Sequence, residues 1–170
     1  MRDISELSSC FDKYLDRLKE NLYNANEDSA EYMFKEATDR VEIPEEARNI
    51  HQFVEYAASI RKSSTEEDGE TLKTSVYSDL CVGGDSKWAD VPVGAFLEWG
   101  TGPLGEDTND YPHGYSYTTR APWDEHTAIQ EYFTGTWGIA ARPHLYPALI
   151  ATKPIYLDHI KGAIEEAWKK

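Results

Sequence analysis

Val76-Tyr77-Ser78-Asp79-Leu80-Cys81-Val82 is the stretch on which the fold class turns. Val76, Ser78, Leu80 and Val82 alternate with Tyr77, Asp79 and Cys81, a period of two that gives a strand two usable faces. Upstream of residue 63 the apolar residues instead recur every three or four positions, which is helical spacing. The chain therefore changes from helix to sheet, and the expected class is α+β: a helical N-terminal part, an antiparallel β-sheet, and a C-terminal helix packed on it.

Working downstream, Gly83-Gly84-Asp85 supplies residues that tolerate positive φ, so the strand is expected to turn back in a hairpin. Trp88 to Trp99 is the expected return strand, with Pro92 demoting it to an edge or splitting it. Gly100-Thr101-Gly102-Pro103 ends it. Residues 103–141 have no clean period and hold seven large aromatics among Gly, Pro, Asp and Thr. Such a loop is expected to be functional or ordered by a partner. It has room for a second hairpin through Tyr115–Thr119 or a short helix around Glu125–Tyr132. The chain closes with a helix that Pro147 opens and Pro154 kinks or restarts, with Leu157, Ile160, Ala163, Ile164, Ala167 and Trp168 as its apolar face.

Working upstream, Ser63 to Gly69 reads as a polar loop. Ile4, Leu7, Phe11, Tyr14, Leu18 and Leu22 make a first helical stripe, with Asp3 and Glu6 at capping-box spacing. Asn24-Ala25-Asn26 is the expected stop. Asp28 and Glu31 repeat the capping spacing ahead of Met33, Phe34, Ala37 and Val41. Pro44 suits the start of a third helix bearing Ala47, Ile50, Phe53, Val54, Ala57 and Ile60. The expected division is a helical segment over 1–62 and an α+β domain over 63–170. No internal repeat or low-complexity tract is present.

Composition narrows the functions. Across 170 residues, 17 Lys and Arg stand against 31 Asp and Glu, a formal −14. Residues 1–70 hold 18 acidic and 9 basic side chains, which reads as a solvated helix face. A chain this acidic has no surplus of cations to grip phosphates or an anionic membrane. No uncharged run reaches the ~20 residues a bilayer requires, and the N-terminus has no apolar signal core. Cys10 and Cys81 form no disulfide framework, and a reducing compartment is expected; Cys10, near a helix's buried stripe, is expected to act as a small hydrophobe.

No chemistry is marked. His51, His113, His126, His144 and His159 show no His-x-x-x-His pair, and scattered surface histidines are expected, although His113 with Asp110 or Asp124 with His126 are conceivable metal partners. There is no Gly-x-Ser-x-Gly elbow and no phosphate-cradling glycine loop. Glu98, Asp107, Asp110, Asp124 and Glu125 lie near many aromatics, as a glycosidase or sugar-binding module would have them. That carbohydrate module is the competing reading. The favoured one is non-enzymatic, with no cofactor and no metal.

Three segments carry a family likeness. Asp68-Gly69-Glu70-Thr71-Leu72-Lys73-Thr74-Ser75-Val76 is similar to a Thr-Gly-x-Leu-Arg-x-Ser-Ile step from loop into strand. Gly94-Ala95-Phe96-Leu97-Glu98-Trp99-Gly100-Thr101-Gly102 is similar to Tyr-Ala-x-Tyr-Val-Glu-Phe-Gly-Thr-Gly. Ala141-Arg142-Pro143-His144-Leu145-Tyr146-Pro147-Ala148-Leu149 is similar to Ala-Arg-Pro-Phe-Leu-Arg-Pro-Ala-Leu before a closing helix, with His144 in place of Phe. Together, over residues 63–170, they resemble the neck or tail-completion proteins of tailed bacteriophages and prophages typed by a lambdoid phage's gene-ten product.

The resemblance implies a structural virion protein, assembled in the bacterial host's cytoplasm and residing at the head–tail junction. It implies a homo-oligomeric ring, commonly six-fold, between head–tail connector or adaptor proteins and the tail terminator or tail tube. Double-stranded DNA would pass through without tight binding, and no membrane is involved; the net charge would then either line part of the channel with acidic residues or serve only to keep the subunit soluble before assembly. The motif residues are Gly69, Leu72, Ser75, Glu98, Gly100, Thr101, Gly102, Arg142, Pro143, Leu145, Pro147 and Leu149, acting either in fold stabilisation or in assembly. Gly69, Gly100 and Gly102 would permit turns. Leu72, Phe96, Leu97, Leu145 and Leu149 would pin sheet to helix, and Glu98 would pair with Arg142 within or between subunits.

Overall fold

A computed structural model describes residues 4–43, 51–81, 93–99 and 142–169. In chain order these form α1 (Ile4–Asp39), α2 (His51–Ser59), β1 (Arg61–Lys62), β2 (Glu66–Asp68), β3 (Thr71–Lys73), β4 (Val76–Tyr77), α3 (Val93–Trp99) and α4 (Leu145–Trp168). The class is α+β, as the sequence predicts, but the C-terminal helix, expected on the sheet, packs on α1 instead. The strands form two two-stranded sheets, β1 with β4 and β2 with β3. Two compact units emerge: Met1–Lys35, Lys62–Val76 and Leu149–Lys170 make the first, Glu36–Arg61 and Tyr77–Ala148 the second. Among the described residues no helix is long and apolar enough to cross a membrane.

In the first unit α4 packs antiparallel on α1. The Tyr14 and Trp168 rings lie 4.5 Å apart, Asn21 Nδ2 donates to the Ala163 carbonyl at 3.1 Å, and Ser29 Oγ meets His159 Nδ1 at 2.8 Å. The Arg17 guanidinium donates to the Lys169 carbonyl at 3.0 Å, placing a cation at the negative end of α4. Helix α1 runs unbroken for 36 residues, so the expected stop at Asn24–Asn26 is overturned. An Asn ends a helix when its amide competes for the local backbone. Here Asn26 Nδ2 instead donates to Thr74 Oγ1 at 2.6 Å and Thr65 Oγ1 at 3.3 Å, and Ala25 between the two Asn is buried.

The hairpin beneath that contact corrects a second expectation. Glu66–Asp68, read as loop, is a strand that pairs antiparallel with Thr71–Lys73 in the register Glu66↔Lys73, Glu67↔Leu72, Asp68↔Thr71. Opposite charges face each other at Glu66 and Lys73, which offsets the poor strand propensity of the acidic run. Gly69, expected to permit a turn, turns the hairpin at φ +62°, in the left-handed region. The hairpin is tied to α1 by Glu27, whose carboxylate accepts from Lys62 Nζ and from the Thr65 N–H, each at 2.5 Å.

In the second unit the expected strand Val76–Val82 stops at Tyr77. The Ser78 hydroxyl meets Ser59 Oγ at 2.6 Å and accepts from the Leu80 N–H at 3.2 Å, a local bond that competes with the ladder. The expected return strand is overturned over its described part: Val93–Trp99 is helix α3. A short apolar run does not distinguish strand from helix by itself. Val93, Gly94, Leu97 and Glu98 are buried, a helical rather than an alternating set. The Val93 N–H reaches back to the Leu80 carbonyl at 2.9 Å.

The terminal helix keeps Pro147 in its first turn and continues through Pro154 without a break. Pro154 and Ile150, whose carbonyl loses its helical donor, are both exposed, so water is able to replace that bond. The expected apolar face is narrower than its letters suggest. Ala163 and Ala167 are buried, while Leu157, Ile164 and Trp168 are exposed. Cys10, expected near a buried stripe, is exposed. The Pro44 helix start, the Gly83–Asp85 turn, Trp88 to Pro92, and the 103–141 loop with its hairpin and helix alternatives lie outside the described residues.

Candidate functional site

A helix that starts inside a protein must satisfy its first N–H groups without water. At the start of α4 one side chain does this. Glu98, at the end of α3 and 4% exposed, accepts from the backbone N–H of His144 and Leu145 through Oε2, both at 2.9 Å, and from that of Tyr146 through Oε1 at 2.8 Å. Residue 147 is proline and has no N–H. The next, Ala148, makes the first intrahelical bond, to the His144 carbonyl at 3.1 Å. Every N–H of the buried turn is thus accounted for, and the carboxylate sits at the positive end of the helix dipole. The Arg142 N–H also closes on the Leu97 carbonyl at 2.6 Å, satisfying an acceptor at the C-terminal end of α3.

His144 extends this joint to α2. It is fully buried, its ring edge-on to Tyr56 at 5.2 Å and 80°. Nδ1 lies 3.1 Å from both the Arg142 carbonyl and Glu98 Oε2, which are acceptors only, so Nδ1 carries the proton. Nε2 then accepts from the Tyr56 hydroxyl at 2.9 Å. Burial holds the imidazole pKa below its ordinary value, against the opposing pull of Glu98 and the Arg142 carbonyl. Burial, and then the Glu98 charge, raise the Tyr56 phenol, which stays a donor. Gly94 makes the arrangement possible: a Cβ there would stand 2.7 Å from two carbons of the buried Tyr56 ring and closer still to its hydroxyl.

No family model, curated protein or solved structure matches this chain.

The joint brings together Glu98, Arg142, Pro143, Leu145 and Pro147, all expected site residues. It uses them differently from the expectation. The Glu98 carboxylate is engaged by backbone N–H groups and His144, while the described ion pair of Arg142 runs to Glu42 at 3.6 Å; the expected Glu98–Arg142 pair is not among the described contacts. Leu97 is fully buried, Leu145 is half-buried, and Leu149 is 49% exposed. Gly69, Leu72 and Ser75 belong to the first unit. There Leu72 is half-buried on β3, and the Ser75 N–H donates to Ser63 Oγ at 3.0 Å. Gly100, Thr101, Gly102 and the Phe96 side chain lie outside the described residues.

Two residues of the joint, Tyr56 and Gly94, carry no motif signal of their own. Tyr56 was legible only as one helical step before Ile60, which is also buried. The expectation of scattered surface histidines is corrected at His144, and at His159, which is half-buried against Ser29.

Chemically, a carboxylate, an imidazole and a hydroxyl in sequence are the parts of a proton relay. Here all three are buried and hydrogen-bonded to one another or to backbone, so the arrangement holds elements together. A second set lies in the first unit, in a cavity of about 290 Å³ lined by Asn21, Asn24, Asp28, Asp158, His159 and Glu166 among others. Among the described residues no group of three or more His, Cys, Asp or Glu has the geometry to hold a metal ion.

Proposed function

We propose that the chain is a structural virion protein of a tailed phage or prophage, forming a ring at the head–tail junction through which DNA passes. The observation that carries this reading is the joint itself. The second and third segments of the family resemblance, far apart in sequence, meet through Glu98 and the first turn of α4, and their polar groups are used in holding that meeting point. Residues of this kind support a subunit that must keep its shape under assembly. The formal charge of −14 supports passage of DNA without retention.

In this role the subunit forms a closed homo-oligomer, six-fold in the resembling family, stacked between connector or adaptor proteins and the tail terminator or tube. It carries no catalytic residue and no cofactor. Negative-stain electron microscopy with mass measurement in solution tests the reading. Closed rings with a central channel are the expected result. A monomer at every concentration, alone and with the connector, would overturn it.

A further inference from the structure

In the first unit, α4 presents its small residues inward and its large ones outward. Thr152, Ala163 and Ala167 are buried, whereas Ile150, Leu157, Ile164 and Trp168 are 50%, 57%, 42% and 69% exposed. Spacings of seven, seven and four put these four on one stripe of a helix with 3.6 residues per turn, roughly 100° round from the buried alanines, with Trp168 at its end also lying against Tyr14 of the same chain. Exposed apolar residues scattered singly need no explanation, but four aligned on one helix face, with Lys153 and Lys161 between them, form a mixed apolar and basic stripe suited to a contact surface.

We propose that this stripe is where one copy of the chain docks on the next, seated against the outward face of the neighbouring copy's α1. The proposal rests on the ring reading above and names its interface. Charge selects the occupant. Lys153 and Lys161 are exposed along the stripe, with Asp158 and Glu165 on its far edge. The side of α1 turned away from α4 carries exposed Asp12, Asp16 and Glu20 at helical steps of four, and Tyr23, 41% exposed; Lys19, the cation on that side, is already held by Glu67 of the hairpin at 2.7 Å. Among the described residues, Asp12, Asp16, Glu20, Lys153 and Lys161 have no ion-pair partner in their own chain, so both sets remain available to a second copy. Pairing α4 with α4 about a two-fold axis centred on Leu157 would set Lys153 opposite Lys161 of the other copy, like against like. An α4-to-α1 contact uses two different surfaces, so it repeats from copy to copy and generates a ring where the rotation closes.

Sedimentation of the full chain against Leu157→Glu, Lys161→Glu and the double variant Lys161→Glu with Asp16→Lys tests this, with circular dichroism confirming the fold of each. Leu157 and Lys161 are exposed, so these changes leave the subunit folded. The expected result is assembly of the native chain, at least tenfold weaker self-association in both single variants, and recovery in the double variant. Native assembly undisturbed by Leu157→Glu would overturn the interface and leave the ring reading standing. Single variants that dissociate without recovery in the double one would overturn the α1 partner, as would a dimer as the largest native species. A native chain that is monomeric throughout would remove the ring reading and this interface with it.

Discussion

Glu98 shows how much of a joint rests on one side chain. Replacing it with Ala strips one buried and two part-buried N–H groups of their acceptor, and an unmet buried donor costs about 1–3 kcal/mol. Glu98→Ala is therefore expected to lose on the order of 3–5 kcal/mol in urea unfolding, and Glu98→Gln less, because an amide oxygen still accepts. A neutral Glu98→Ala would show that water reaches the turn. Gly94→Ala is expected to cost about 1–3 kcal/mol, since its Cβ meets a Tyr56 ring with no room to retreat; an unchanged unfolding midpoint would refute that contact. His144 sets a pH dependence. Its folded pKa lies below the ordinary 6.5, so the unfolded chain binds the proton more readily, and stability is full above about pH 6.5 and declines as pH falls through that value. His144→Phe should flatten this part of the profile, and a native profile flat from pH 7.5 to 5 would count against a neutral buried imidazole. The sequence foretold that Glu98 and Arg142 belong to segments that meet. It did not foretell the partner, because a carboxylate's attraction to backbone N–H groups leaves no mark in side-chain letters.

At the level of elements, periodicity was reliable where a helix is long and exposed on one side, and failed where side chains are committed to distant partners. The long apolar stripe of α1 was readable, but Asn26 looked like a terminator because its hydroxyl partners, Thr65 and Thr74, lie about forty and fifty residues away in sequence. The α3 stretch read as strand because seven residues hold too few turns to separate a period of two from 3.6. A turn at Gly69 was expected, and a positive φ selects glycine locally, but the hairpin strand Glu66–Asp68 leading into it was not, because its acidic run has no strand pattern. What holds that hairpin to α1 is the Glu27 carboxylate between Lys62 and Thr65, where their hydrogen bonds draw its pKa from 4.5 to about 2. The folded state thus favours the ionised form. This stabilisation is complete above pH 4.5 and is lost as pH falls toward 2. Because the Glu27 side chain is one-quarter exposed, solvent screening reduces its contribution to on the order of 1–2 kcal/mol. Acid titration of the native chain and Glu27→Gln, followed by circular dichroism, should differ above pH 4.5 and converge near pH 2. Parallel curves throughout would remove the clasp from the stability of the hairpin.

For the whole molecule, class was legible and partition was not. The class read from a change of period is right, although the period-two stretch is strand only at Val76–Tyr77 and the longer hairpin lies where a loop was expected. Two compact units that each draw on separated segments follow from contacts such as Asn21 with Ala163, which no local pattern announces. Net charge belongs to this scale as well, because its effect is a field rather than a contact. With 31 acidic and 17 basic side chains, the chain repels a duplex unless its cations are gathered on one surface. Among the described residues several cations are already held: Lys62 by Glu27, Lys19 by Glu67, Arg40 by Glu36 and Arg142 by Glu42. A basic channel would bind phosphates by releasing their counterions and hold the genome in place, and that attraction is strongest at low salt. An acidic or neutral wall lets the duplex slide. The expected outcome is that labelled duplex DNA shows no retention by the assembled protein at 20–50 mM salt, where even non-specific binders hold on (about the most permissive condition available). Saturable retention that weakens steeply as salt rises would mean that Lys and Arg converge on the lumen, and free passage of DNA would have to be abandoned.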